Sequence, residues 1–216
     1  VDIAKKYEIE IYESIDAALE FKPDFSVIAN PTTMHVPATL ELVSNKVPVL
    51  MEKPISNDMS GVNELLDLCT SQATPVMVGY MMRFHPCALK LKNLLDKKIL
   101  GSIYSVVVTV DSYMPYWHKY EKYNQFYAGM KELGGGVVLT EIHELDLLHW
   151  MFGAPNKVYA VGGKLSNFDL DVEDTVSMLF ELQDNDKVFP ANINMSFVQK
   201  HPLRNFLVLG QHGAIK

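Results

Sequence analysis

Between residues 9 and 80 the chain alternates short β-branched runs with longer stretches of helical period, and this alternation limits the fold more than any other feature. IEIY (9–12) precedes Ser14 and IDAALEF. DFSVIAN (24–30) precedes HVPATLELVSN, VPVLM (47–51) precedes SNDMSGVNELLDLCTSQ, and PVMVGY (75–80) closes the series. Strands that are apolar nearly throughout, each followed by a helix, predict a parallel sheet covered on both faces and built from right-handed βαβ units.

After Arg83 the pattern changes. PCALKLKNLLDKK (86–98) reads as an amphipathic helix stopped by Gly101, and SIYSVVVTVD reads as a strand. A polar, aromatic loop follows from Ser112 to about Lys131, then GGG and a helix across about 137–151. KVYAVGGKL, TVSMLFEL, KVFPANINMSF and NFLVLG then alternate as in an antiparallel sheet, with Asp184-Asn185-Asp186 among the turn signals. The expected fold class is α/β: a partial parallel sheet over 1–83, then an α+β domain with a mostly antiparallel sheet over 84–216.

Composition removes several functions. At 48% apolar the chain is no disordered tail, and a net charge of −7 gives no basic field to offset repulsion from phosphates, so no nucleic-acid partner is expected. The longest apolar stretch, Pro75 to Met82, is far shorter than the roughly 20 residues that span a bilayer, so no membrane partner is expected. Cys69 and Cys87 form neither a C-x-x-C pair nor a disulfide framework, which fits a reducing cytoplasm. Val1 opens the sequence with neither an initiator methionine nor the plan of a signal peptide, as expected of a fragment of a longer chain.

In an open parallel sheet, ligands bind beyond the carboxyl ends of the strands. Three such ends carry unusual polar residues: Asn30-Pro31-Thr32-Thr33 with His35, Glu52-Lys53-Pro54, and Arg83. Asn30, Thr32 and Thr33 either cap the next helix or face a ligand, and Pro54 either ends a strand or shapes a site. Lys53 directly follows a buried run, so its ammonium is expected in a partly desolvated place where lysine can exchange protons. In LGGGVVLTEIHELDLLHWMFG (133–153) three glycines permit close backbone approach to another surface, with the first amides of a helix facing it. His143 and Asp146, three apart, share a helix face. A zinc hydrolase would need a histidine where Leu147 stands, and His149 lies on a different face, so no metal is expected.

ANPTTMH, MEKPIS, GYMMRFHP and LGGG…IHELDLLHWMFG, in this order before an alternating sheet, resemble the Gfo/Idh/MocA family of NAD(P)-dependent oxidoreductases, which act mainly on sugars and polyols. The resemblance runs over nearly the whole chain. It implies a partial Rossmann-like dinucleotide-binding domain over 1–83 and a substrate-binding and oligomerisation domain over 84–216. It also implies NAD or NADP as cofactor, a sugar, nucleotide-sugar or polyol as substrate, and a homo-oligomer formed through the second-domain sheet. By the same resemblance Lys53 lies beside the nicotinamide and the substrate hydroxyl, and His143 is the acid/base or substrate-orienting group. Asn30, Thr32 and His35 match the loop near the ribose and phosphates, Glu52 and Pro54 shape the nicotinamide pocket, and Arg83 stands where the family often has an arginine near the ring.

Three features depart from that pattern. Leu139 occupies a position where many members carry an aspartate of the proton relay, so the relay is Lys53–His143 alone, is helped by Thr140 or Glu141, or is lost. Met81 replaces a common asparagine. No G-x-G-x-x-G occurs in the sequence, as expected if the first strand, first helix and second strand of the family are absent, and the end at Gly210–Lys216 resembles a point inside the second-domain sheet.

Oxidising a secondary alcohol needs a base for the hydroxyl proton while hydride leaves the carbon, and Lys53 with His143 would hold that hydroxyl. The loop SYMPYWHKYEKYNQFYAG (112–129) offers aromatic faces that stack on sugar rings. Trp117 and Tyr127, with Thr140, Glu141 and Asp146, are the candidate substrate contacts. The plainer role for the aromatics is to pack the loop onto the domain. A non-catalytic sugar-binding or assembly protein of the same fold is the competing reading.

Overall fold

The computed structural model describes residues 3–118, 120–184 and 187–216. The chain divides into two compact units, one ending at Gly79 and one spanning Tyr80–Lys216.

In the first unit, helices α1 (Ile3–Tyr7) and α2 (Ile15–Leu19) precede β1 (Ser26–Ile28), α3 (His35–Ser44), β2 (Val49–Met51), α4 (Val62–Gln72) and β3 (Val76–Val78). Ser14 caps α2 by accepting the Ala17 amide at 3.2 Å. The strands pair in parallel in the order β1-β2-β3. Ile28, Val49 and Met51 on one sheet face pack with Val36, Leu42 and Val43 of α3 and Leu65 of α4.

Three expectations need correction here. IEIY is not a strand: residues 9–12 lie outside any strand, with Ile9 and Ile11 exposed, so their β-branched character has no neighbouring strand to pack against. The helix after β2 begins at Val62, not near residue 56, because the Ser56 hydroxyl accepts the Asp58 amide and the Asp58 carboxylate accepts the Ser60 amide. These local bonds hold a turn instead of a helix. The sheet is covered on one face only among the described residues. Val27, Leu50 and Met77 align across the three strands and are 54%, 40% and 63% exposed.

In the second unit, a 3-10 turn (Met81–Phe84) leads into α5 (Pro86–Asp96), whose first turn is set by Pro86 and by the His85 ring accepting the Cys87 amide. β4 (Ile103–Tyr113) follows, then the aromatic loop with three 3-10 turns, α6 (Val137–Thr140), α7 (His143–Phe152), and β5 (Lys157–Gly163), β6 (Thr175–Asp184), β7 (Lys187–Ser196), β8 (Val198–Gly210) and β9 (Gly213–Ile215). The six strands take the order β5-β6-β7-β4-β8-β9. Every pair is antiparallel except β4 with β7. One sheet face carries Val106, Val108, Val110, Met178, Phe180, Ile193 and Met195 into a core shared with Leu91 of α5, Val137 of α6 and Leu148 of α7.

The helix expected across 137–151 is two helices broken at Glu141 and Ile142. The Glu141 backbone (φ −94°, ψ 31°) ends α6 after four residues, and Ile142 opens α7. The last long strand also begins earlier than expected, at Val198. Of the Asp184–Asp186 turn, Asn185 and Asp186 lie outside the described residues. Asp184 and Lys187 form the final pair of the β6–β7 ladder.

Candidate active site

Each unit brings candidate residues together by its own means. At the carboxyl ends of β1 and β2, the His35 ring is 1% exposed and lies between two loops, with Nδ1 2.7 Å from the Pro54 carbonyl and Nε2 2.9 Å from the Asn30 carbonyl. Burial and those two contacts make His35 a staple between the loops that carry Asn30 and Lys53. The Lys53–Pro54 bond is cis, Pro54 is buried, Lys53 is half-buried, and Glu52 is exposed with its carboxylate accepting the Lys53 amide at 3.3 Å. The Gly79 amide donates to the Met51 carbonyl at 2.7 Å, so the ends of β2 and β3 are tied as well.

Thr32 is buried, and neither the 3-10 turn Thr32–Met34 nor α3 has a side-chain cap, so capping does not account for Asn30, Thr32 or Thr33. The Asn30 side-chain oxygen is buried without a hydrogen-bond partner. A buried acceptor with no donor costs roughly 1–3 kcal/mol, and a ligand hydroxyl or amide would remove that cost. This orphaned oxygen at a strand end fits a dinucleotide, whose ribose and carboxamide groups are donors.

In the second unit, Arg83 forms a two-pronged ion pair with Asp146, Nη2 to Oδ1 at 2.5 Å and Nε to Oδ2 at 2.8 Å. Hydrogen bonding to that carboxylate keeps the guanidinium more firmly charged than usual. Tyr80, one 3-10 turn earlier, meets the buried His143 ring edge-on at 6.4 Å and lies under the Arg83 guanidinium at 5.8 Å. Burial raises the Tyr80 hydroxyl above its ordinary range, and the Asp146 charge adds to the shift. His143 and Asp146 thus share a face, and the segment Tyr80–Arg83 occupies it. Thr140 is buried, Leu139 is half-buried on α6, and Met81 is exposed.

Glu141, expected to touch substrate, is bound to Arg204 at 2.9 Å, and Arg204 also lies 2.8 Å from Glu144. Arg204 and Tyr80 were outside the sequence-derived site. A signal for Arg204 existed, since it alternates with Phe206 and Val208 along β8, and residues two apart share a sheet face. A strand begun at residue 205 hides it.

The glycines do approach a surface closely, but that surface belongs to the same unit. A Cβ on Gly135 would lie 2.5 Å from the Tyr127 carbonyl oxygen and 2.6 Å from that of Ala128. A Cβ on Gly136, whose φ is +107°, would meet the Glu173 carboxylate. Glu173 takes the first amides of α6, its carbonyl accepting from Val137 at 3.0 Å and its carboxylate from Val138 at 3.1 Å, so those amides are not left for a ligand.

The aromatic loop packs largely inward. Trp117 meets Phe197 edge-on at 5.1 Å and Phe126 at 6.3 Å, and Tyr127 packs against Phe126 at 4.5 Å. Both border the core, whereas Tyr116 and Tyr120 point outward. Among the described residues no group of three or more His, Cys, Asp or Glu side chains is arranged to hold a metal ion, and no helix is long and apolar enough to cross a membrane.

A parallel βα sheet with polar strand ends is thus followed by a helix-backed, mostly antiparallel six-stranded sheet, an α/β architecture in two units. Residues 1–80 match the family model described as oxidoreductase family, NAD-binding Rossmann fold, and residues 88–216 match that of the GFO/IDH/MocA C-terminal domain. The chain belongs to the Gfo/Idh/MocA family. It is similar to 2,7-anhydro-N-acetylneuraminate hydratase of Escherichia coli (strain K12), 24% identical over 100% of this chain and 57% of the relative. Among solved structures, GenD2 from gentamicin A biosynthesis, in complex with NAD, superposes with a TM-score of 0.85 at 23% identity, over 99% of this chain and 60% of that one. The WlbA dehydrogenase from Bordetella pertussis, in complex with NADH and UDP-GlcNAcA, gives 0.84 at 20% identity, over 97% and 63%. The chain therefore spans about three fifths of the length of these proteins, and at such identities the structural likeness establishes the fold.

Proposed function

We propose that the protein transfers hydride between NAD or NADP and a hydroxyl or keto carbon of a sugar, nucleotide-sugar or polyol, in the cytoplasm. The orphaned Asn30 oxygen at the end of the parallel sheet carries this reading. Bound nicotinamide would accept or return the hydride. Asn30 would accept a hydrogen bond from the dinucleotide, with Thr32, Glu52 and Pro54 shaping the surface around it and His35 holding the two loops together. Lys53 and His143 are the proposed proton-exchanging groups. Arg83 acts through Asp146, and so fixes the first turn of α7. The carboxylates of Glu141 and Asp146 are taken by arginines, whereas Tyr116 and Tyr120 point outward and are the better candidates for substrate contact.

Fluorescence titration with NADH and a turnover panel of sugars and polyols test the reading together. Saturable binding with dinucleotide-dependent turnover is the expected result. Sugar binding without any dinucleotide binding would favour a non-catalytic protein of the same fold.

A second copy is proposed to dock on the open face of the six-stranded sheet. Tyr159 pairs with Leu179, and Val161 lies on the same exposed face. Sedimentation should show an oligomer that Leu179→Glu converts to monomer, and a monomeric unaltered protein would exclude this interface.

A further inference from the structure

Arg204 is bound to two carboxylates that flank the residue proposed as the acid–base histidine. Its Nη2 donates to Glu141 Oε2 at 2.9 Å, and its Nε lies 2.8 Å from Glu144 Oε1. Between these two anchors lie only Ile142 and His143, the junction where α6 ends and α7 begins. Across the junction the Glu141 amide donates to the Val137 carbonyl at 2.9 Å, the Glu144 amide reaches the Glu141 carbonyl at 3.4 Å, and the Asp146 amide donates to the Ile142 carbonyl at 3.0 Å. The guanidinium fork spans the junction and ties its two sides together through side chains.

The charges in this group do not cancel. Two carboxylates face one guanidinium, and one of the two is shielded from solvent. Glu144 is 1% exposed, and its Oε2 is buried without a hydrogen-bond partner. Glu141 has partners on both oxygens, with Oε2 on Arg204 and the Ser112 hydroxyl 3.5 Å from Oε1. Burial pushes the Glu144 carboxyl up to about 7, Arg204 opposes the shift, and the Glu141 charge adds to it. On α7 its titratable neighbours are His143, immediately before it, and Asp146, which is bound to Arg83.

We propose that Glu141, Arg204 and Glu144 form a proton-linked clamp that positions His143, with the buried Glu144 carboxyl as the member that exchanges a proton with solvent. When Glu144 is protonated, Arg204 and Glu141 form a neutral pair and the clamp carries no net charge. When Glu144 releases its proton to water, the clamp becomes an anion adjoining His143. Glu144, Glu141 and Arg204 are positioning residues, and the proposal rests on the reading of His143 as the acid–base group.

The test follows carbon-13-labelled glutamate carboxyls and the His143 ring signals by NMR through a pH titration of the unaltered protein, Glu141→Gln and Glu144→Gln. Glu144 should titrate well above the exposed glutamates, and its midpoint should shift downward in Glu141→Gln, where one repelling charge is gone. The His143 signals should follow that midpoint in both proteins and lose the dependence in Glu144→Gln. A Glu144 carboxyl titrating with the exposed glutamates, or His143 signals unchanged by either substitution, overturns the clamp. In turnover, Glu144→Gln should remove one limb of the kcat–pH profile and leave the KM for dinucleotide unchanged. Absence of turnover with every sugar and polyol would reject the proposed function while the NMR titration still decides the clamp.

Discussion

Lys53→Ala should lower turnover by about 10²–10⁴-fold, the usual contribution of a positioned proton-transfer group, and should leave the fold intact. Lys53 follows β2 at the sheet end where dinucleotides bind, and it is half-buried. The loop around it is held by other groups: His35 against the Pro54 carbonyl, and Gly79 against the Met51 carbonyl. Truncating the lysine therefore removes an ammonium without removing the scaffold. His143→Gln should cost a comparable factor, because glutamine keeps a polar side chain but cannot accept and return a proton. Initial rates with saturating dinucleotide, alongside circular dichroism of each variant, check both. Turnover of Lys53→Ala equal to that of the unaltered protein would sink the assignment.

Phe197→Ala should destabilise the second unit by about 3–5 kcal/mol, the range for removing a fully buried aromatic side chain. Phe197 is 0% exposed, its amide donates to the Asp174 carbonyl at 2.8 Å, and its carbonyl accepts the Met114 amide at 3.0 Å. Its ring is the surface on which Trp117 stands. The truncation leaves a cavity under the aromatic loop, so the loop should loosen as well. Denaturant unfolding gives the stability change, and Trp117 fluorescence gives the loop. Tyr120→Ala, at a side chain 84% exposed, is the control and should stay within about 0.5 kcal/mol of the unaltered protein.

The parallel sheet was legible because its short strands are apolar on both faces and each is followed by a helical period. IEIY shows the limit of that reasoning, since β-branched residues make a strand only where a neighbouring strand pairs with them. His143 and Asp146 were legible as a shared helix face because i, i+3 spacing is local. Their partners were not. Arg83 reaches Asp146 and Arg204 reaches Glu141 across 63 positions each, and no local period encodes such a meeting. The glycine triplet announced a close approach but not its target, which is the unit's own backbone at Tyr127 and Ala128.

The place of β4 between β7 and β8 has a consequence for how the chain comes to be folded. Val106 pairs with Ala191, and Asp111 accepts a bond from Ser196, 85 positions later. At about 5–20 residues per second, synthesis leaves this strand without partners for roughly 4–17 s. Such high contact order slows closure, and the run Val106-Val107-Val108 is the kind of segment that adheres to other nascent chains while it waits. Ser105, Thr109 and Asp111 interrupt the apolar character along that same strand, so the residues that make the outer row polar in the finished sheet also guard the strand before the sheet exists.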